Sequence, residues 1–159
     1  MKQIFEALEK DARLSPEKIS TMAGIPEKEV GRIIKQAEKD KIIRKYKTII
    51  DWSRLGHDNV RALVEIKVVP QRDVGFDAIA ERIYRFPQVR SAYLASGNYD
   101  LAILVVGQTM QEVALFVSEK LAPLDTVQGT VTHFVLKTYK EDGEIFEGEE
   151  GIKRLPVSP

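Results

Sequence analysis

The chain has 159 residues, 43% of them apolar, and its 24 Lys+Arg balance 24 Asp+Glu. That length and apolar share suit one folded domain or two small ones rather than a disordered chain. The absence of cysteine excludes disulfides and thiolate metal sites. No apolar run approaches the roughly 18–20 residues that cross a bilayer, and MKQIFEALEKD has no signal-peptide apolar stretch, so a cytoplasmic protein is expected.

In chain order, Ile4, Phe5 and Leu8 form an apolar stripe that predicts a helix over about residues 2–11. Ser15-Pro16 then reads as a cap and first helical residue. The helix it opens runs through Ile19 and Met22 and stops at Gly24. Pro26 opens a third helix, with Val30, Ile33, Ile34 and Ala37 inward and Lys28, Arg32, Lys35 and Lys39 largely outward. IIRKYKTIIDW, residues 42–52, mixes β-branched, aromatic and basic residues and predicts a hairpin or wing with an outgoing strand.

A strand is expected over 60–69, ended by Pro70, and a helix over about 74–86 with Phe76, Ile79, Ala80 and Ile83 on its apolar side. Strands over 89–95 and 101–106 flank the turn Ser96-Gly97-Asn98-Tyr99-Asp100. Thr109 begins a last helix with Val113, Phe116, Val117 and Leu121 inward, and a long strand is expected over 127–139. The order β-α-β-β-α-β is ferredoxin-like. The expected fold is therefore α+β: an N-terminal three-helix winged helix-turn-helix over residues 1–52, a linker over 53–59, a ferredoxin-like βαββαβ domain over 60–142 and an acidic tail over 143–159.

Charge is distributed unevenly along this plan. Residues 1–60 carry 13 Lys/Arg against 10 Asp/Glu, and residues 26–47 alone carry 8 against 4. A basic patch on a helix-turn-helix points to double-stranded DNA, with the third helix in the major groove. Lys28, Glu29, Arg32, Lys35, Gln36 and Lys39 are the exposed candidates on it. Arg44, Lys45 and Lys47 of the wing are candidates for phosphate contacts. Gly31 removes a side chain from the third helix, which suits close backbone approach. The bland reading of the same pattern is a three-helix domain with a solvated charged face.

The run LAILVV, residues 101–106, does not alternate, so the sheet is expected to be covered on both faces. A second copy of the same sheet is the simplest cover, giving a homodimer with two DNA-reading units.

Taken together, LEKDARLSPEKIS, AGIPEKEV, GRIIKQAEKDKII, SGNYDLAILV, TMQEVALFVSEKLAPL and VQGTVTHFVLKTYK give the chain a pattern that resembles the Lrp/AsnC, or feast/famine, regulators over about residues 1–140. The resemblance implies a homodimer that often builds octamers and a sensing domain for an amino acid or related small metabolite. It implies an effector site with Ser96, Gly97, Asn98, Tyr99 and Asp100 on one wall and Thr130, Thr132 and His133 on the other. Asp100 would suit an ammonium group, and the backbone near Gly97 with the Thr130 and Thr132 hydroxyls a carboxylate.

Three positions depart from the family pattern. Pro26 stands for the usual Ser/Thr cap, Lys41 for a glycine before the wing, and Gly129 for a larger polar residue.

Two other readings stay open. Some Lrp-like proteins decarboxylate tetrapyrroles, a chemistry relying on histidine, and this chain offers His57 and His133. An architectural DNA-binding protein without an effector would use the same parts. No metal cluster, phosphate-binding glycine loop or nucleophile constellation stands out, so no cofactor, metal or catalytic residue is expected.

Overall fold

A computed structural model describes residues 1–56, 59–69 and 75–146. His57, Pro70, Val74 and the tail residues Ile152, Leu155 and Val157 lie outside the described residues. The chain divides into two units, Met1–Ile50 and Asp51–Pro159.

In the first unit the helices are α1 (Lys2–Lys10), α2 (Pro16–Ala23) and α3 (Glu27–Lys39). The Ser15 hydroxyl accepts the Lys18 amide at 3.3 Å, which satisfies one of the free amides at the start of α2. Gly24 ends α2 in the left-handed conformation at φ 66°, which costs glycine little. Pro26 caps α3 without a side-chain hydrogen bond. One fully buried aliphatic residue per helix, Ile4, Ile19 and Val30, makes the core, with Leu8, Leu14, Ile25, Ile33 and Ile34 packed around it. Each such side chain contributes about 1.5–3 kcal/mol by leaving water.

The expected hairpin after α3 does not form. After Asp40, Lys41 turns at φ 56°, and the amides of Ile42 and Ile43 return to the Ala37 carbonyl. Residues 44–51 then run without helix or ladder. A hairpin needs two strands joined by turn residues, and Arg44-Lys45-Tyr46-Lys47 holds no Gly, Asn, Asp or Pro with which to reverse. The wing is a single segment without a strand partner.

The second unit carries β1 (Val60–Val68), α4 (Phe76–Tyr84), β2 (Val89–Leu94), β3 (Leu101–Gly107), α5 (Met110–Phe116) and β4 (Val127–Phe134). Its sheet has the antiparallel order β2-β3-β1-β4. Thr109 caps α5 by accepting the Glu112 amide at 3.0 Å. Beyond Phe116 the helix widens into a π-type stretch, Val117–Leu121.

Ala62, Val64, Ile66 and Val68 of β1 and Leu101, Ile103 and Val105 of β3 form one core with Ile79 and Ile83 of α4 and Val113 and Phe116 of α5. Both helices therefore cover the same sheet face. Phe86 and Phe116 meet edge to face at 5.3 Å between ring centres.

β4 is shorter than expected. The Val135 amide still reaches the Arg61 carbonyl, but β1 begins at Val60, so the chain beyond has almost no partner strand left. A hairpin that was not expected follows instead, spanning the boundary placed between residues 142 and 143: β5 (Lys140–Glu141) and β6 (Glu144–Ile145), joined by Asp142 and Gly143 at positive φ.

Candidate DNA interface and effector turn

At about 100° per residue, Lys28, Arg32, Lys35 and Lys39 fall within roughly 60° of one another around α3. All four are exposed, while Val30 and Ala37 are buried on the opposite side. The helix thus presents a single cationic stripe. Glu29 and Gln36 are exposed beside it. Gln36 is engaged within the helix, donating its amide to both Asp40 carboxylate oxygens at 2.8 and 2.9 Å.

Arg44, Lys45 and Lys47 are exposed on the segment that follows α3. Tyr46 ties that segment back to α3 by donating its hydroxyl to Glu38 at 2.9 Å. Partial burial and the Glu38 bond push the Tyr46 phenol up from its usual value. The Tyr46–Glu38 brace lies across a turn between residues eight apart, and no sequence periodicity points to it.

The 96–100 turn is closed by a bond from the Ala95 amide to the Asp100 carbonyl at 2.9 Å, and Gly97 takes φ 134°. Ser96, Gly97 and Asn98 are exposed, and Tyr99 and Asp100 half-buried. The Asp100 carboxylate already has partners: it accepts the Val68 amide at 2.9 Å and faces the Lys67 ammonium at 3.6 Å. Its backbone amide bonds the Ile66 carbonyl at 3.0 Å. These bonds fall where the β1–β4 register shifts between Lys67 and Val68, so Asp100 supplies an acceptor for an amide beside the irregularity.

The opposite wall expected from the family resemblance divides between two faces. Thr130 and Thr132 pair with Ile66 and Val64, on the helix-covered side, whereas His133 pairs with Leu63, on the open side. Successive strand residues point to opposite faces, so one chain cannot present all three to one ligand. His133 sits 3.3 Å from Glu65.

On the open face, Leu63, Ala102, Leu104, Val106 and Val131 form an apolar centre flanked by Arg61, Glu65, Lys67 and His133. Among the described residues no helix is long and apolar enough to cross a membrane, and no group of three or more His, Asp and Glu is placed to hold a metal ion.

A helix-turn-helix followed by a ferredoxin-like βαββαβ unit defines the class of two-domain DNA-binding regulators. The family model for the Lrp/AsnC ligand binding domain matches residues 61–145. The HTH-type transcriptional regulator YugG of Bacillus subtilis is 51% identical over 158 residues, 99% of this chain and 95% of its own length. The leucine-responsive regulatory protein of Rhizobium meliloti is 27% identical over 139 residues, 87% of this chain and 88% of its own.

Two solved structures share the fold. E. coli AsnC has a TM-score of 0.67 at 21% identity, covering 88% of this chain and 92% of its own. A transcriptional regulator of Neisseria meningitidis in complex with L-Met has a TM-score of 0.70 at 22% identity, covering 87% and 89%. The chain belongs to the Lrp/AsnC family of transcriptional regulators.

Proposed function

We propose that this chain is a sequence-specific, DNA-binding transcriptional regulator of the cytoplasm, acting as a homodimer or larger assembly and answering to an amino acid or related small metabolite. The observation that carries the DNA assignment is the cationic stripe of Lys28, Arg32, Lys35 and Lys39 on the exposed side of α3. Placed in a major groove, it offers Arg32 to base edges and the lysines to phosphates, with Arg44 and Lys45 adding phosphate contacts. The Tyr46 brace on Glu38 holds those two basic groups near the helix that uses them. The chain acts as a regulator rather than an enzyme, in keeping with the transcriptional regulators it resembles.

The effector reading draws on the ligand-binding family model and on the L-Met bound by the Neisseria regulator. In this chain Ser96, Asn98 and the backbone of the 96–100 turn touch the effector, with Asp100 bracing the turn through Val68 and Lys67. A site shaped by only one sheet face is completed by another copy, which fits the apolar centre of the open face.

The test is fluorescence anisotropy on selected genomic fragments, with and without each of the twenty amino acids. Arg32→Ala is expected to lose affinity and relax sequence preference. Lys45→Ala is expected to weaken all sequences alike and to reduce the salt slope by about one counterion. Unchanged affinity in both variants overturns the DNA reading. Thermal stabilisation by none of the amino acids overturns the effector reading.

A further inference from the structure

Arg32 is the only arginine of α3, and Glu29 and Gln36 stand about one turn to either side of it. Residues three and four apart are neighbours on a helix surface, so the three form one row along α3. The row lies on the flank of the cationic stripe away from Glu38 and its Tyr46 partner. All three side chains are exposed. Glu29 and Arg32 pair neither with each other nor with any other described residue, so both charged ends are free.

Gln36 is constrained differently. Its amide donates to both Asp40 carboxylate oxygens, at 2.8 and 2.9 Å, a charge-assisted contact. What it leaves to an incoming group is its carbonyl oxygen. The row therefore offers an acceptor, a donor and an acceptor: a carboxylate, a guanidinium and an amide oxygen.

In the major groove guanine shows two acceptors, thymine an acceptor and a methyl, adenine an acceptor beside an amino donor, and cytosine an amino donor alone. A side chain that can only accept meets a lone pair at the edge of every base but cytosine. Glu29 is also kept off the phosphates by like charge, while the lysines beside it are drawn to them. It sits in the first turn of α3, the part of such a helix that reaches base edges. A carboxylate there also suits the helix dipole, a role that Glu27 shares. Glu27, however, is five residues from Arg32 and about 140° away around the helix.

We propose that Glu29, Arg32 and Gln36 read one base pattern: Glu29 and Gln36 each select cytosine through its N4 amino group, flanking a guanine taken by Arg32. Asp40 is a positioning residue that touches no base and keeps Gln36 an acceptor. This inference rests on the DNA reading above.

The test is selection of duplexes from a randomised library by the full chain, then anisotropy titration of the selected site and its single-base variants. The unaltered chain is expected to prefer cytosine over adenine about tenfold at two positions flanking a guanine, ~1.4 kcal/mol each. Glu29→Gln sets a donor beside the acceptor, the pair that an adenine edge takes, and is expected to move one of these positions to adenine. Asp40→Ala frees the Gln36 amide and is expected to move only the other. Asp40→Glu, which keeps a carboxylate, is expected to hold that position at cytosine. Glu27→Gln is expected to change neither, although it alters the same helix terminus. Base preference that is the same in Glu29→Gln and Asp40→Ala as in the unaltered chain overturns the proposal and leaves the DNA reading standing. A chain that enriches no sequence overturns both.

Discussion

Two residues carry more of the architecture than their exposure suggests. Lys41 stands where the family pattern has glycine, and it adopts φ 56°, a conformation that costs a side-chain-bearing residue about 1–2 kcal/mol. Lys41→Gly relieves that strain but adds unfolded-state entropy, so a net stabilisation of up to about 1 kcal/mol is expected from urea melts.

Asp100 separates two roles. As a brace, it supplies the acceptor that satisfies the Val68 amide. Asp100→Ala is expected to cost about 1–3 kcal/mol by leaving that amide unpaired. Asp100→Asn keeps an acceptor and is expected to retain most of the stability and the effector response. An Asn variant that folds normally but no longer responds in effector titration would assign the carboxylate to the ligand's ammonium instead.

At the scale of elements, α3 carries the cationic stripe proposed to face DNA. A Cβ added at Gly31 would meet no atom of the chain within 4 Å, so packing does not demand glycine there. Gly31→Ala is expected to raise helix stability by about 0.5–1 kcal/mol. If the backbone at Gly31 lies against the duplex, the same change lowers DNA affinity, and a gel shift with unimpaired binding removes that contact.

Both α2 and α3 were legible: Ser15-Pro16 and Gly24 bound the first, and the Val30, Ile33, Ile34, Ala37 steps mark the buried side of the second. The hairpin and outgoing strand expected over 42–52 do not form, because β-propensity marks residues that suit a strand, while a ladder also needs a second strand. The β5–β6 hairpin carried a readable signal, Asp142-Gly143, obscured by placing a domain edge through it.

For the whole molecule, the decisive surface is the open sheet face. Leu63 and Val131 are exposed there, 39% and 53%, beside the better covered Leu104 and Ala102. A charge at the centre of a sheet-to-sheet interface must be desolvated without a partner. For the proposed homodimer, Leu104→Lys is therefore expected to give monomers in sedimentation and to abolish tight binding to two-half-site DNA. A dimer that survives the substitution would show that the open face is not the interface.

Local order was written into the chain: which residues are helical, which stripes turn inward, and where Ser15, Gly24 and Thr109 start or stop a helix, because each depends on neighbours within about one turn. The strand register, and everything that follows from it, was decided by tertiary structure. The register places Thr130 and His133 on opposite faces, gives Asp100 the Val68 amide as a partner, and accompanies an Arg61–Glu141 pair spanning 80 residues. Long-range partners depend on which strands meet and in what alignment, and a shift of one residue would turn every side chain to the other face.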